Sequence, residues 1–126
     1  MNFPENLKYT KDHEWIQIDG DTGIIGITDF AQGELGDVVF VELPAVGKLV
    51  KAHESLGTIE AVKAVSDLYA PLSGSVTAVN PELEKTPEIV NKDPYGKGWM
   101  VKVKISNPSE VAGLLSAAAY RQSIGK

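Results

Sequence analysis

Lys63 is the residue best suited to carry chemistry, because it is the one lysine in residues 56–76 and its neighbours are small or apolar. Val62 precedes it and Ala64 follows it, within a run of residues that favours β-structure. A buried ammonium here would require a partner or a lowered pKa. At an exposed turn, the same lysine would be an isolated reactive amine. Spacing alone favours the simpler interpretation, a solvent-facing lysine on a strand.

The remaining residues contain no recognisable catalytic motif. His13 and Glu14 do not begin the zinc motif His-Glu-x-x-His, because residue 17 is Gln, and His53 stands alone. The glycines of residues 20–26 have the wrong spacing for a dinucleotide-binding loop. The chain has no cysteine, which excludes disulfides, thiolate ligands and cysteine nucleophiles. We therefore expect no catalytic residue and no metal site, so any redox chemistry must come from a group added to the chain.

Composition is typical of an ordinary globular protein. The 126 residues are enough for one domain, and 43% of them are hydrophobic. The net charge of −5 argues against nucleic-acid binding, which depends on clustered lysine and arginine. No apolar run approaches the ~20 residues that span a bilayer. Residues 1–15 lack the basic and apolar segments of a signal peptide, so we expect a cytoplasmic protein, or a mature form whose leader is absent.

Short β-branched or alternating segments predict a mainly β fold. The clearest is Trp99–Ile105, in which Trp, Val, Val and Ile would face the core while Lys102 and Lys104 face water. Further strands are predicted at residues 15–18, 22–28, 37–43, 47–50, 56–60, 64–69 and 74–79. Gly23 and Gly26 lie where another backbone could approach closely. Many short strands at this spacing indicate a small sandwich or barrel.

Helices are expected to be few. The surest is a C-terminal helix at about 108–123, with Asn107 as N-cap, Pro108 at its first position and Glu110 completing a capping box. A short helix capped by Thr28 is predicted at residues 28–32. Single helical turns are predicted where a capping residue precedes a proline, at residues 80–82 and 86–88. No linker or repeat is visible, so residues 1–126 are predicted to form a single domain.

Several motifs, found in the same order along the chain as in a known family, indicate a resemblance to that family. Residues 60–67, Glu-Ala-Val-Lys-Ala-Val-Ser-Asp, resemble the lipoyl-lysine signature of glycine cleavage H proteins, and residues 70–76 match the Pro-x-x-Gly-x-Val segment of lipoyl and biotinyl carriers. Similar landmarks occur at residues 13–15, 26–32, 35–44 and 91–100, so the resemblance runs from about Tyr9 to the C-terminal helix. Departures are mild: Ala61 stands where many members carry Ser, and Lys97 where Glu is common.

The resemblance implies a barrel-sandwich hybrid, the lipoyl/biotinyl-carrier-like fold, with Lys63 in an exposed hairpin turn. Lys63 would bear lipoate as an amide, and the chain would be a monomeric, non-catalytic carrier of the glycine cleavage system. Its implied partners are a pyridoxal-phosphate glycine decarboxylase, a tetrahydrofolate-dependent aminomethyltransferase, dihydrolipoamide dehydrogenase, and the lipoate ligase or octanoyl/lipoyl transferase that modifies it. The arm would shuttle the aminomethyl group of glycine between the first two and be reoxidised by the third.

Two further hypotheses concern the surroundings of Lys63. Residues 61–65 contain neither Gly nor Asn, which a tight hairpin normally favours, so we infer that the turn is shaped for the ligating enzyme. The loaded arm would carry a labile cationic amine, which a carboxylate could hold against the protein. Glu14 and Asp67 are the candidates, although exposed surface carboxylates with no such role are an equal alternative.

The sequence leaves several other functions to be considered. A lipoyl domain of a 2-oxo acid dehydrogenase commonly has Asp before the lysine, where this chain has Val62, and a biotin carrier normally has Met on both sides of it. The sequence does not distinguish a lipoyl relay, which donates lipoyl groups to other enzymes, from a carrier in glycine cleavage. An unmodified interaction domain would require that Lys63 is never acylated. An independent enzyme is the least favoured alternative.

Overall fold

The protein consists of two antiparallel sheets that share a core. The structure, a computed structural model, describes residues 2–126, so Met1 of the predicted domain lies outside the described residues. The strands are β1 Lys8–Tyr9, β2 Glu14–Asp19, β3 Thr22–Ile27, β4 Val38–Glu42, β5 Leu49–Val50, β6 Ser55–Ala61, β7 Val65–Tyr69, β8 Gly74–Val79 and β9 Val101–Ile105. The helices are α1 Asp29–Leu35, α2 Glu82–Lys85, α3 Ile89–Lys92, a 3-10 helix Pro108–Gly113 and α4 Ala117–Ser123.

Sheet order separates the chain into a large and a small layer. The six-stranded sheet has the order β1-β2-β3-β9-β8-β5, and the three-stranded sheet has the order β4-β6-β7. One cluster of buried residues takes Ile25 and Val103 from the large sheet and Val41 and Ile59 from the small one. The small sheet carries the β6–β7 hairpin, so this packing fixes the hairpin that contains Lys63. No helix among residues 2–126 is long and apolar enough to cross a membrane.

Strand β9 has the predicted alternation, but the two residues before it depart from the prediction: Trp99, expected to face the core, is half-buried, and Met100 is fully buried. Val101, Val103 and Ile105 are buried, and Lys104 is exposed. Lys102 was predicted to face water but is half-buried. Its Nζ lies 4.8 Å from the centre of the Trp99 ring, which is a cation–π distance. The polar face of this strand is therefore partly covered by its own aromatic neighbour.

The glycines of β3 are approached by side chains, so the expectation of a neighbouring backbone was wrong. A Cβ atom at Gly26 would lie 2.7 Å from the indole of Trp15, and one at Gly23 would lie 2.7 Å from Ile16 Cδ1. The reason is the β2–β3 register, which places Trp15 directly opposite Gly26. The indole crosses the space that a side chain on β3 would fill, and its N–H donates to the Pro94 carbonyl at 3.0 Å.

The caps of the helices agree with the sequence in one case and differ in another. Thr28 caps α1, with its Oγ1 accepting from the Ala31 N–H at 3.2 Å. The expected C-terminal helix at 108–123 is instead divided into the 3-10 helix and α4, which has its own N-cap, Ser116. The capping box does not form, because the Glu110 carboxylate accepts from Ser73 N–H and Oγ at 2.8 and 3.0 Å.

Helix α4 completes a second buried cluster through Tyr120. Its ring stacks on Tyr9 with a centroid distance of 4.9 Å, and its hydroxyl lies 2.9 Å from His13 Nδ1 and 2.8 Å from Thr28 Oγ1. One C-terminal residue therefore braces both the loop before β2 and the N-cap of α1, next to Glu14.

We expect Tyr120→Phe to lower the free energy of unfolding by about 1–2 kcal/mol, because the ring stays packed while two buried hydrogen bonds are lost. Urea unfolding at neutral pH measures the change. Arg121→Ala, at the exposed neighbouring position, should leave stability within about 0.5 kcal/mol. Equal unfolding midpoints for Tyr120→Phe and the chain without substitutions would show that this hydroxyl does not stabilise the fold.

Candidate functional site: the Lys63 hairpin

Lys63 lies at the tip of the β6–β7 hairpin. Strand pairing ends with Glu60 opposite Val65, and the Ala61 N–H donates to the Ala64 carbonyl at 2.8 Å to close the turn. The Val62 N–H turns outward and donates to the Asp37 carbonyl at 3.0 Å. The tip is therefore attached to the loop between α1 and β4 as well as to its own strands, which gives it a defined position.

The backbone of the turn explains its lack of glycine. Among the described residues, His13 and His53 are the non-glycine residues with positive φ, at 71° and 74°. No residue of 61–65 is in that group, so the turn needs no residue that tolerates the left-handed region. The hypothesis that the turn is shaped for a ligating enzyme stays a prediction.

The tip presents the lysine to solvent. Lys63 is exposed, and its neighbours Val62 and Val65 are 75% and 66% exposed. The two valines therefore present apolar surface to solvent beside the lysine. The arrangement offers an accessible primary amine on a small apolar platform, which is the requirement for covalent attachment of an acyl group.

Glu14 is buried at the start of β2, with 1% of its surface exposed. Its Oε1 accepts from Thr10 Oγ1 at 2.6 Å, and its Oε2 accepts from the Tyr69 N–H at 3.4 Å. Burial raises the pKa of Glu14 from 4.5 to about 7, because water no longer stabilises the charged form, and the bond from Thr10 opposes the rise. The carboxyl group therefore keeps its proton to a higher pH than an exposed glutamate does.

Asp67 lies on β7 between Lys63 and Tyr69 and is exposed. Its Oδ1 accepts from Ser55 Oγ and its Oδ2 from Tyr69 Oη, each at 3.4 Å. Tyr69 thus contacts both candidate carboxylates, Glu14 through its backbone and Asp67 through its hydroxyl. Thr10 and Tyr69 were not identified from the sequence, because no local pattern marks a residue that bonds to a carboxylate elsewhere in the chain.

Helix α1 connects the surroundings of Glu14 with those of Lys63. Its N-terminal end follows Ile27, which pairs with Glu14, and its C-terminal end leads into Asp37, which bonds to the hairpin tip. Seven helical residues rise about 10 Å. The helix therefore links the strand end that pairs with Glu14 to the loop that holds the hairpin tip.

The contacts of the two histidines are with the fold and not with the Lys63 hairpin. His13 is hydrogen-bonded to Tyr120, and its ring centre lies 5.1 Å from that of Phe30. Burial lowers the pKa of His13, although the neighbouring Asp12 opposes the shift. His53 is exposed, and its backbone N–H donates to the Ala70 carbonyl at 2.8 Å. Within residues 2–126, no three His, Cys, Asp or Glu side chains are grouped so that they could hold a metal ion.

Comparison with known proteins identifies the family. Residues 7–126 match the family model described as Glycine cleavage H-protein. The chain belongs to this family. It is 60% identical over 127 residues to the glycine cleavage system H protein of Chlorobium luteolum, with 99% of each chain covered. It is 59% identical to that of Symbiobacterium thermophilum, covering 94% of this chain and 93% of the relative.

A solved structure agrees at the level of the fold. The crystal structure of a glycine cleavage system H protein from Mycobacterium marinum superposes with a TM-score of 0.90 at 43% identity, covering 98% of this chain and 99% of that one. The predicted family and barrel-sandwich hybrid fold are thereby confirmed. The chain is the lipoyl-bearing, non-catalytic carrier of the glycine cleavage system, lipoate is its cofactor, and its partners are other components of that system.

Proposed function

We propose that Lys63 is the residue to which lipoate is attached. The proposal rests chiefly on one observation: Lys63 is exposed at the tip of a hairpin whose position is fixed by hydrogen bonds at Ala61 and Val62. Acylation of its Nζ would remove the positive charge and leave the turn unchanged, because the described turn bonds involve backbone atoms only. The attached group would supply the disulfide that the cysteine-free chain lacks.

The carrier would act by tethering. A group held on an arm of limited length reaches an effective concentration in the ~mM range once the carrier docks, so transfer between enzymes becomes nearly intramolecular. The specific partners we propose are the pyridoxal-phosphate glycine decarboxylase, the tetrahydrofolate-dependent aminomethyltransferase, dihydrolipoamide dehydrogenase and a lipoate ligase or octanoyl/lipoyl transferase.

The location and the oligomeric state are also proposals. Because the partner reactions use tetrahydrofolate and NAD, which are intracellular cofactors, we propose a cytoplasmic location. We also propose that the carrier is a monomer.

The attachment is tested by intact mass. Incubation with lipoate, ATP and a lipoate ligase should add the mass of one lipoyl amide, and peptide mapping should find it within residues 61–65. No gain, under conditions in which a known carrier is modified, would exclude Lys63 as an acceptor for this enzyme. A gain located on any other lysine would overturn the assignment.

Glu14 and Asp67 are the groups we propose to hold the loaded arm. The aminomethyl group would be cationic, and a carboxylate near its end would pair with it and reduce its exposure to water. Glu14 is supported by its burial, since charge-assisted hydrogen bonds are stronger where water is excluded. Asp67 is exposed, so its attraction would be screened and would serve mainly to guide the arm along β7.

We expect Glu14→Gln to shorten the lifetime of the loaded arm about tenfold, the effect of losing a hydrogen bond to a charged group. Asp67→Asn should shorten it by less than about fivefold, since exposed ion pairs contribute ~0–1 kcal/mol. Loss of the aminomethyl group from the isolated carrier can be followed by mass spectrometry. Glu42→Gln, at an exposed position on β4, is the matched control. Unchanged lifetimes in both carboxylate variants would exclude them as arm-holding residues.

A further inference from the structure

Gly36, the residue after α1, contacts the side chain of Lys63. A Cβ atom at Gly36 would lie 3.0 Å from Lys63 Cε and 3.6 Å from both Cδ and Cγ, so the aliphatic stem runs directly across the glycine backbone. Gly36 has φ 82° and ψ −160°, a combination that is adopted almost only by glycine. Glycine is thus favoured here twice, by the backbone conformation and by the space that the lysine stem occupies.

One side chain from α3 holds the backbone around this glycine. Asn91 Nδ2 donates to the Gly36 carbonyl at 2.9 Å and to Gln32 Oε1 at 3.0 Å, and Asn91 Oδ1 accepts from the Val38 N–H at 2.9 Å. The amide therefore uses both of its donor hydrogens and its acceptor, and it bonds on either side of Asp37. Residues 36–38 are fixed as a unit.

The same unit also holds the hairpin tip. The carbonyl of Asp37 accepts from the Val62 N–H at 3.0 Å. The backbone next to Lys63 and the stem of Lys63 are therefore both positioned by residues 36–38, and through them by Asn91. An alteration at Asn91 would be transmitted to the lysine without any direct contact between the two side chains.

We propose that Gly36 and Asn91 form a seat for the stem of the modified Lys63, so that the lipoyl arm begins at one end of α1. This inference rests on the proposed attachment at Lys63. The contact involves Cγ, Cδ and Cε, which amide formation leaves unchanged, and loss of the charge removes the tendency of the stem to extend into water. The other end of α1 adjoins Glu14, so a seated stem directs the arm along the helix towards the buried carboxyl group. Gly36 and Asn91 are positioning residues and take no part in the transfer chemistry.

The contact is tested by NMR on the full chain, first unmodified and then lipoylated to completion as judged by intact mass. We expect nuclear Overhauser contacts between the Lys63 Hε and Gly36 Hα protons in both forms. Asn91→Asp keeps an acceptor for Val38 but loses both donors. Asn91→Asp should weaken these contacts by at least about fivefold, the population change that follows loss of even one ordinary hydrogen bond.

Gly36→Ala gives the second test, with Gly47→Ala as its matched control. Both glycines have a positive φ, 82° and 96°, so both substitutions strain the backbone, but a Cβ at Gly47 would meet no heavy atom within 4 Å, whereas one at Gly36 would meet the lysine stem. In the lipoylated variants, the rate at which a small phosphine reduces the lipoyl disulfide reports how freely the arm moves. We expect this rate to rise in Asn91→Asp and Gly36→Ala and to stay unchanged in Gly47→Ala, while thermal unfolding separates this effect from general destabilisation.

The outcomes distinguish the seat from the attachment itself. A lipoylated chain without Lys63–Gly36 contacts would overturn the seat and leave the attachment intact. Contacts and reduction rates that are unchanged in Asn91→Asp would also overturn it. If Lys63 fails to accept lipoate while the contacts are present in the unmodified chain, the proposed attachment is excluded, and the role in arm positioning is excluded with it.

Discussion

Lys63→Arg is expected to abolish the carrier function while leaving the fold intact. Arginine keeps a long, positively charged side chain, but its guanidinium stays protonated and is not an acceptor for acylation under these conditions. Because Lys63 is exposed at the hairpin tip, the free energy of unfolding should change by less than about 0.5 kcal/mol. After incubation with lipoate, ATP and a ligase, intact mass should be unaltered. Release of carbon dioxide from glycine in a reconstituted system should fall to the level seen without carrier.

A matched pair of variants separates this loss from a general effect of exchanging lysine for arginine. Lys48, just before β5, and Lys104, on β9, are exposed and lie beside or in the six-stranded sheet, whereas the turn of residues 61–65 belongs to the three-stranded one. Lys48→Arg and Lys104→Arg should each gain one lipoyl amide and support the reaction at the normal rate. A mass gain in Lys63→Arg would mean that another residue carries the arm.

The second large effect is on the pH dependence of stability, to which we expect Glu14 to make the main contribution between about pH 4.5 and pH 7. The pKa of Glu14 is raised by burial from 4.5 to about 7 in the folded chain. Between these values the folded state retains a proton that the unfolded state releases, so the free energy of unfolding falls as pH rises. The total contribution is on the order of 3 kcal/mol, present at low pH and lost once the pH exceeds about 7.

Glu14→Gln should remove this dependence, because an amide does not titrate. Denaturant unfolding at several pH values would compare the variant with the original chain, and the difference between the two curves isolates Glu14. The lowered pKa of His13 acts in the opposite direction, since stability from that group rises with pH up to about 6.5, and it is common to both curves. Glu42→Gln, at an exposed position on β4, should leave the pH profile unchanged. Parallel curves for Glu14→Gln and the original chain would show that the pKa of Glu14 is not raised.

Much of the local structure follows from the sequence because it depends on neighbouring residues. The alternation in residues 101–105 predicts which side chains of β9 are buried, and Thr28 predicts the start of α1. The motif around Lys63 identifies the family without any structure. These features share one physical basis, interactions between residues that are adjacent or within one helical turn, and such interactions are visible in spacing and residue type.

The site depends on contacts that only the tertiary structure brings together. Glu14 is flanked by ordinary residues in the sequence, and its burial arises where β2 passes the end of β7 and meets the N–H of Tyr69, fifty-five positions away. The C-terminal capping box is lost for the same reason, because Ser73 offers Glu110 two donors from a distant loop. Sequence determined most of the strands, the α1 cap and the choice of Lys63 as the proposed site of attachment. Sheet packing decided which carboxyl group is desolvated and which glycine lies beneath the lysine stem, because desolvation and close contact depend on where distant segments meet.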